Sequence, residues 1–147
     1  MAFITTEYKT TGENFYNITS LIKSTLKHHL DAFDSKKQRT SGLLCIFIPH
    51  TSCALTISEA FDRNATSDVE NFLKHLAGRN LPFITHTTEG TDDSPSHMKS
   101  ILLQQSMNLI VENGEILLGT WQGIFLAEFR DDPKVRNIHL KFMPDSD

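Results

Sequence analysis

Between Gly42 and Glu59 the chain runs Gly-Leu-Leu-Cys-Ile-Phe-Ile, breaks at Pro49-His50-Thr51-Ser52, and resumes as Cys-Ala-Leu-Thr-Ile-Ser-Glu. Ile46, Phe47 and Ile48 favour extended backbone, and Pro49 has no N–H to give a neighbouring strand, so pairing should stop or bulge there. The stretch therefore reads as a strand, a polar break and a second strand. A polar cluster at the mouth of two buried strands is where a rigid scaffold can present chemical groups. A hairpin turn with a surface histidine accounts for the same residues.

The remainder of the chain fits around this pair of strands. Phe3 to Thr10 is rich in β-branched and aromatic residues and predicts an opening strand. Gly12-Glu13-Asn14 turns the chain and Phe15 to Ile18 resumes it. Asn17 or Thr19 can then cap a helix to about Phe33, with Ile18, Leu21, Ile22, Leu26, Leu30 and Phe33 at helical spacing. His28 and His29 fall on its polar side. Lys36-Lys37-Gln38-Arg39 reads as a solvated loop.

A second helix is expected from about Asp62 to His75. Ala65, Val69, Phe72, Leu73 and Leu76 form its apolar stripe, and Gly78 ends it. Leu81 to His86 suggests a short extended segment, and Thr87 to Ser96 a long polar loop of the kind that is functional or disordered. Ser94-Pro95 suits the start of a helix through Met98, Ile101 and Leu102 to about Gln105. The rest reads as β structure. Asn113-Gly114, between Leu109–Glu112 and Glu115–Leu118, suits a type I′ hairpin turn. Gly123 to Phe129 and Val135 to Met143 follow as strands, with a turn at Asp131-Asp132-Pro133. Strands at both ends with two or three helices between them predict one α+β domain over residues 1–147, mainly antiparallel and β-sandwich-like with flanking helices.

Composition removes several classes of function. The chain has 147 residues, 39% hydrophobic and 22% charged, with a formal charge of -4. That is an ordinary globular balance, and it argues against a dedicated nucleic-acid binder, which needs a basic surface. Cys45 and Cys53 are the only cysteines and make neither a disulfide framework nor a CxxC pair. No apolar run approaches a membrane span, and Met1 to Thr6 lacks a secretory signal's basic start and long apolar core. The expectation is a cytoplasmic protein.

Three histidines have similar local settings: His50 after a strand, His86 at the end of a short extended segment, and His97 opening a helix. Three imidazoles with one open position would make a catalytic rather than a structural zinc site. Glu59, Asp62, Asp68, Glu89, Asp92 and Asp93 are the carboxylates near them in sequence that could orient them or act as base. There is no HExxH, GxGxxG, GxxxxGKS or GxSxG. Dispersed histidines on polar surfaces remain the plain alternative. Gly119-Thr120-Trp121-Gln122-Gly123 flanks the only tryptophan with glycines. It reads either as a tight turn with Trp121 over a core edge, or as backbone that approaches a ligand with Trp121 as its wall.

Taken in order, His50-Thr51-Ser52-Cys53-Ala54, Glu59, Asp62, Asp68, His86, Glu89-Gly90, His97 and Gly119-Thr120-Trp121-Gln122 resemble the YjbQ-like family, small proteins often labelled secondary thiamine-phosphate synthases. The resemblance covers about Gly42 to Phe142. It implies a homotrimer and a polar pocket able to hold a divalent metal, zinc being the expected ion. His50, His86 and His97 would be the metal ligands, with Glu59, Asp68 and Glu89 as supporting or catalytic carboxylates. Thr51, Ser52, Thr120, Trp121 and Gln122 would line the ligand site. Three positions depart from the family pattern: Asn64 where an aspartate is usual, Thr91 where an asparagine follows Glu89-Gly90, and Gln105 where a glycine often precedes Ser106.

Two functions follow from the resemblance. One is a metal-dependent enzyme with secondary thiamine-phosphate synthase activity, joining hydroxymethylpyrimidine diphosphate to thiazole phosphate, with Thr51, Ser52 and Lys99 helping to hold the departing pyrophosphate. The other is a non-catalytic protein that binds a metal or a metabolite. Either way the expected partner is a small molecule, phosphorylated in the first reading, with no nucleic acid and no membrane. An inert assembly module is the third reading; in it the three histidines would be replaceable without loss.

Overall fold

The structure, a computed structural model, describes residues 3–32 and 39–146. Phe33 and the Lys36–Gln38 stretch lie outside the described residues. The fold is α+β, with eight strands in two antiparallel sheets among the described residues. In chain order the elements are β1 (Ile4–Thr10), β2 (Asn14–Asn17), α1 (Thr19–Ala32), β3 (Gly42–Phe47), β4 (Cys53–Glu59), α2 (Arg63–Leu76), α3 (Asp93–Leu102), β5 (Ser106–Glu112), β6 (Glu115–Ile116), β7 (Gln122–Glu128) and β8 (Lys134–Pro144). The wide sheet has the order β1-β8-β3-β5-β6, and the narrow one β2-β7-β4.

Strands β3 and β4 belong to different sheets, so Pro49 to Ser52 does not close a hairpin. The chain crosses from one sheet to the other there. Both flanks are fixed by the segment after α3, whose carbonyls at Gln105 and Gln104 accept from the N–H groups of Ile48 (2.8 Å) and Leu55 (2.7 Å). A proline suits this crossing because no partner waits for its nitrogen.

The main core lies between the sheets. Leu44 and Ile46 of β3, Leu109 and Val111 of β5, and Ile138, Leu140 and Phe142 of β8 face inward from the wide sheet. Opposite them come Cys53 and Leu55 of β4, Ile124 and Leu126 of β7, and Ile18, Ile22 and Leu26 from α1 and its entry. The helix fills the width that a three-stranded sheet cannot cover. Each of these fully buried side chains contributes about 1.5–3 kcal/mol of transfer free energy. Strand β7 is buried on both faces. Its residues alternate strictly, Ile124 and Leu126 toward the main core, Phe125 and Ala127 toward a second cluster with Phe15, Ala54, Leu73 and Phe129. Burial on both faces explains why its sequence is an unbroken apolar run.

Asn17 caps α1, its Oδ1 accepting from the N–H and the hydroxyl of Thr19 at 3.0 and 2.7 Å. The hairpin turn has Asn113 at φ 52° and Gly114 at φ 82°, the type I′ geometry the dipeptide predicts, although β6 is only two residues long.

Three local expectations change. Leu81 to His86 is a turn and irregular chain rather than an extended segment, and α3 ends at Leu102. In α2 only Leu73 is buried, while Phe72 and Leu76 stay largely exposed. The helix rests one edge on the narrow sheet, so nothing among the described residues covers the far side of its apolar stripe.

Candidate metal centre

Helix α3 begins at Asp93, where the long polar loop from Thr87 runs into its first turn. One turn later comes His97, so the two side chains share a face. His86 reaches the same point from the irregular chain before the loop. Its Nε2–H donates to Asp93 Oδ2 at 2.7 Å, and His97 Nε2 stands 3.4 Å from that oxygen. All three potential ligand atoms lie within 4.8 Å of one another. The Asp93 side chain is only 2% exposed, while His86 is 53% and His97 38% exposed, so a buried carboxylate forms the floor beneath two accessible imidazoles.

His97 and Asp93 are each oriented from behind. His97 donates from Nδ1 to the carbonyl of Thr51 at 2.8 Å, which leaves the Nε2 lone pair facing Asp93. The other Asp93 oxygen, Oδ1, accepts from Arg130 Nη1 at 2.5 Å. Arg130 also donates from Nε to Asp92 Oδ2 (2.9 Å) and from Nη2 to the carbonyl of Glu89 (3.0 Å), so one guanidinium ties both ends of the polar loop. Burial by itself would raise the Asp92 carboxyl. The N–H of Asp131 and the Arg130 guanidinium outweigh it and hold the group below the usual carboxylate range.

A buried ion pair lies under the crossover loop. Glu128, fully buried, accepts from Arg136 Nε at 2.7 Å and Nη2 at 2.5 Å, from the Thr10 hydroxyl at 2.8 Å, and from the N–H groups of Phe129 and Arg130 at 3.1 Å. Arg136 Nη2 also donates to the Ser52 hydroxyl at 2.9 Å. The pair thus pins Ser52, next to the Thr51 carbonyl that orients His97. Beside it, burial pushes the Cys53 thiol up to about 12.

Above the centre is a depression of about 830 Å³ lined by Phe47, His50, Thr51, His86, Ser94, His97, Ser100, Ile101 and Gln105. The structure brings His86, His97 and Thr51 together, with His50 on the same wall but outside the three-ligand cluster. Ser52 lies below the loop, turned toward Arg136. Glu89 is exposed, its carboxylate 4.0 Å from Arg130.

The other expected residues are elsewhere. Glu59 ends β4 at the far end from Ser52, roughly 20 Å along the strand, and caps the next turn by accepting from the N–H groups of Phe61 and Asp62 at 3.2 and 2.8 Å. Thr120, Trp121 and Gln122 form a tight turn beside it. Gln122 Oε1 accepts from the N–H of Gly119 at 2.7 Å, and the exposed Trp121 meets Phe61 edge-on at 5.2 Å. Trp121 therefore does not seal a core edge. Asp68 is exposed on α2. Lys99 is buried away from the depression, paired with Glu13 and lying over the Phe129 ring at 5.2 Å.

Comparison with known proteins gives the family. The family described as UPF0047 protein YjbQ-like matches residues 4–145. The chain belongs to it. This YjbQ-like chain is 42% identical over 111 residues to UPF0047 protein MJ1081 of Methanocaldococcus jannaschii, covering 76% of this chain and 77% of that one. It is 34% identical over 129 residues to UPF0047 protein sll1880 of Synechocystis, covering 88% and 82%. Among solved structures it resembles the conserved hypothetical protein TT1486 of Thermus thermophilus, at 36% identity and a TM-score of 0.80 over 95% of this chain and 99% of that one. No helix among the described residues is long and apolar enough to cross a membrane.

Arg130, Glu128 and Arg136 belong to none of the motifs that single out residues in the sequence. One signal was present: Glu128 interrupts the apolar run Ile124 to Phe129, and a charge inside a doubly buried strand requires a partner.

Proposed function

We propose that this YjbQ-like protein binds a divalent cation, zinc by its donor set, through His86, Asp93 and His97, and uses it to hold a small molecule in the overlying depression. The convergence of two imidazoles and a buried carboxylate, with a second tier of hydrogen bonds already in place, supports this reading. Tetrahedral zinc at about 2.0–2.1 Å from each donor implies about 3.3–3.4 Å between neighbouring donor atoms. The His97–Asp93 separation of 3.4 Å fits that spacing. The His86–Asp93 contact is a hydrogen bond, so a metal taken at His86 Nε2 would require the ring proton to move to Nδ1. Two histidines and one carboxylate leave positions open for a ligand, as catalytic sites do.

Metal content after purification without chelator or histidine tag tests this, beside the His86→Ala, His97→Ala and Asp93→Asn variants. One equivalent in the wild type, lost in each folded variant, is expected. A wild type that stays metal-free after zinc is added back would sink the proposal.

Thiamine-phosphate synthase activity is the reaction to assay first. Among the described residues no Lys or Arg lines the depression, and Lys99 is paired with Glu13 on the other side of α3. The metal itself would therefore have to hold the diphosphate, which is consistent with a secondary activity at most. We also infer a homotrimer. Leu43, Ile110 and Met143 stand side by side on β3, β5 and β8 and are exposed on the outer face of the wide sheet, as is Phe47. Light scattering coupled to gel filtration should give about three times 16.6 kDa; a monomer mass would remove the trimer.

A further inference from the structure

His50 lines the same depression as His86 and His97 but is in a different hydrogen-bonding state. The backbone N–H of Asn137 donates to its Nε2 at 2.9 Å. That nitrogen must offer a lone pair, and a neutral imidazole protonates only one of its two nitrogens, so the proton sits on Nδ1. Burial, and after it the Arg136 guanidinium, hold the ring below the usual histidine range, against the smaller opposing effect of Glu128. A second proton is thereby discouraged. Among the described residues no protein acceptor takes the Nδ1 proton, and the side chain is only half-buried.

The lone pair that a metal would need on Nε2 is thus already engaged by the main chain of β8. His97 shows the opposite arrangement, with Nδ1 engaged by the neighbouring Thr51 carbonyl and Nε2 facing Asp93. Two adjacent residues of the crossover loop therefore differ: the Thr51 carbonyl orients His97, and His50, on the wall of the depression, keeps its Nδ1–H as its one ring donor.

We propose that His50 is a fixed-tautomer hydrogen-bond donor, not a metal ligand, and that its Nδ1–H binds an acceptor oxygen of the small molecule in the depression. A neutral donor beside a cation, with Phe47 and Ile101 as apolar walls, suits a molecule carrying a carboxylate, hydroxamate or carbonyl head on a small apolar body. The part of this that concerns the ligand rests on the metal reading; the tautomer does not.

Nitrogen-15 NMR of the histidine rings in zinc-free protein tests the tautomer. His50 should show a bare Nε2 and a protonated Nδ1, and a protonated Nε2 overturns the proposal. On adding zinc, ring nitrogens of His86 and His97 should move to metal-bound positions while those of His50 hold still. A His50 nitrogen that becomes metal-bound overturns it too.

Acetohydroxamate is then titrated into the zinc-loaded protein. His50→Ala should weaken its binding about tenfold, the worth of one hydrogen bond to a charged acceptor, with zinc stoichiometry unchanged. His50→Gln, whose amide can both accept from Asn137 and donate, should recover part of the loss and guards against a misfolded alanine variant. Undiminished acetohydroxamate affinity in both variants, or zinc lost from both while folded, overturns the donor role. A wild type that takes up no zinc defeats the metal reading instead, and the zinc-free spectrum still decides the state of His50.

Discussion

Arg130 Nη1 donates to Asp93 Oδ1 at 2.5 Å, which leaves Oδ2 as the oxygen that faces His86 and His97. The guanidinium fixes which edge of the carboxylate is presented and supplies the counter-charge that a buried carboxylate requires. A planar fork can do this for Asp93, Asp92 and the Glu89 carbonyl together, and an ammonium cannot.

Arg130→Lys should therefore keep the fold and most of the local charge while losing the geometry. Zinc affinity should drop about 10–100-fold, the usual effect of removing an outer-shell partner. Competition against a chelating dye reads this directly. Equal affinity in the two proteins would mean that Arg130 serves the loop and not the metal.

The acid limb of stability should carry the marks of Asp92 and Asp131. Both carboxyls sit below their ordinary value near 3.8, Asp131 because Arg79 hydrogen-bonds to it and Asp92 through the Asp131 N–H and Arg130 against its burial. Their contribution is present above the unfolded value and is lost as pH falls through the lower folded one. Denaturant midpoints should fall below about pH 4, and Asp92→Asn should flatten that limb more than Asp131→Asn. The Arg79–Asp131 pair is exposed and screened, so its share is small. An unchanged acid limb in Asp92→Asn would contradict the assignment.

Cys53 should be chemically silent in the native protein. Its thiol is fully buried and pushed up to about 12, so almost no thiolate exists near neutral pH. Ellman's reagent at pH 8 should leave Cys53 untouched until denaturant is added, whereas the partly exposed Cys45 offers the only thiol within reach. Rapid native labelling of Cys53 in a Cys45→Ser background would show that the crossover loop opens.

At Gly42 the backbone of β8 comes so close that a Cβ would lie 2.2 Å from the Met143 carbonyl oxygen. Gly42→Ala must push the β3 and β8 strands apart, and should cost at least about 2 kcal/mol in chemical denaturation. Gly78→Ala, where the nearest atom is a flexible leucine side chain at 3.9 Å, should lie within about 0.5 kcal/mol of wild type. Similar losses at the two glycines would refute the contact as the cause.

Much of the architecture is set by local chemistry and so could be read from the chain. Alternating and continuous apolar runs placed the strands, Asn113-Gly114 specified its own turn, and Asn17 or Thr19 offered a cap for the first helix; each depends on neighbours a few positions away. The motif residues around His50, His86, His97 and Trp121 identified the family on the same terms. What the sequence left open depended on packing between distant segments. Only the tertiary structure decided that β3 and β4 lie in different sheets, because a polar break after a strand serves a hairpin and a crossover alike. Only packing placed Glu59 and Trp121 at one end of β4 and the histidines at the other. The same is true of the Asp93 floor, its Arg130 brace and the Glu128–Arg136 pair beneath the loop. A charged side chain can be buried only where another segment brings its counter-charge, and the partner's position along the chain leaves no periodic trace.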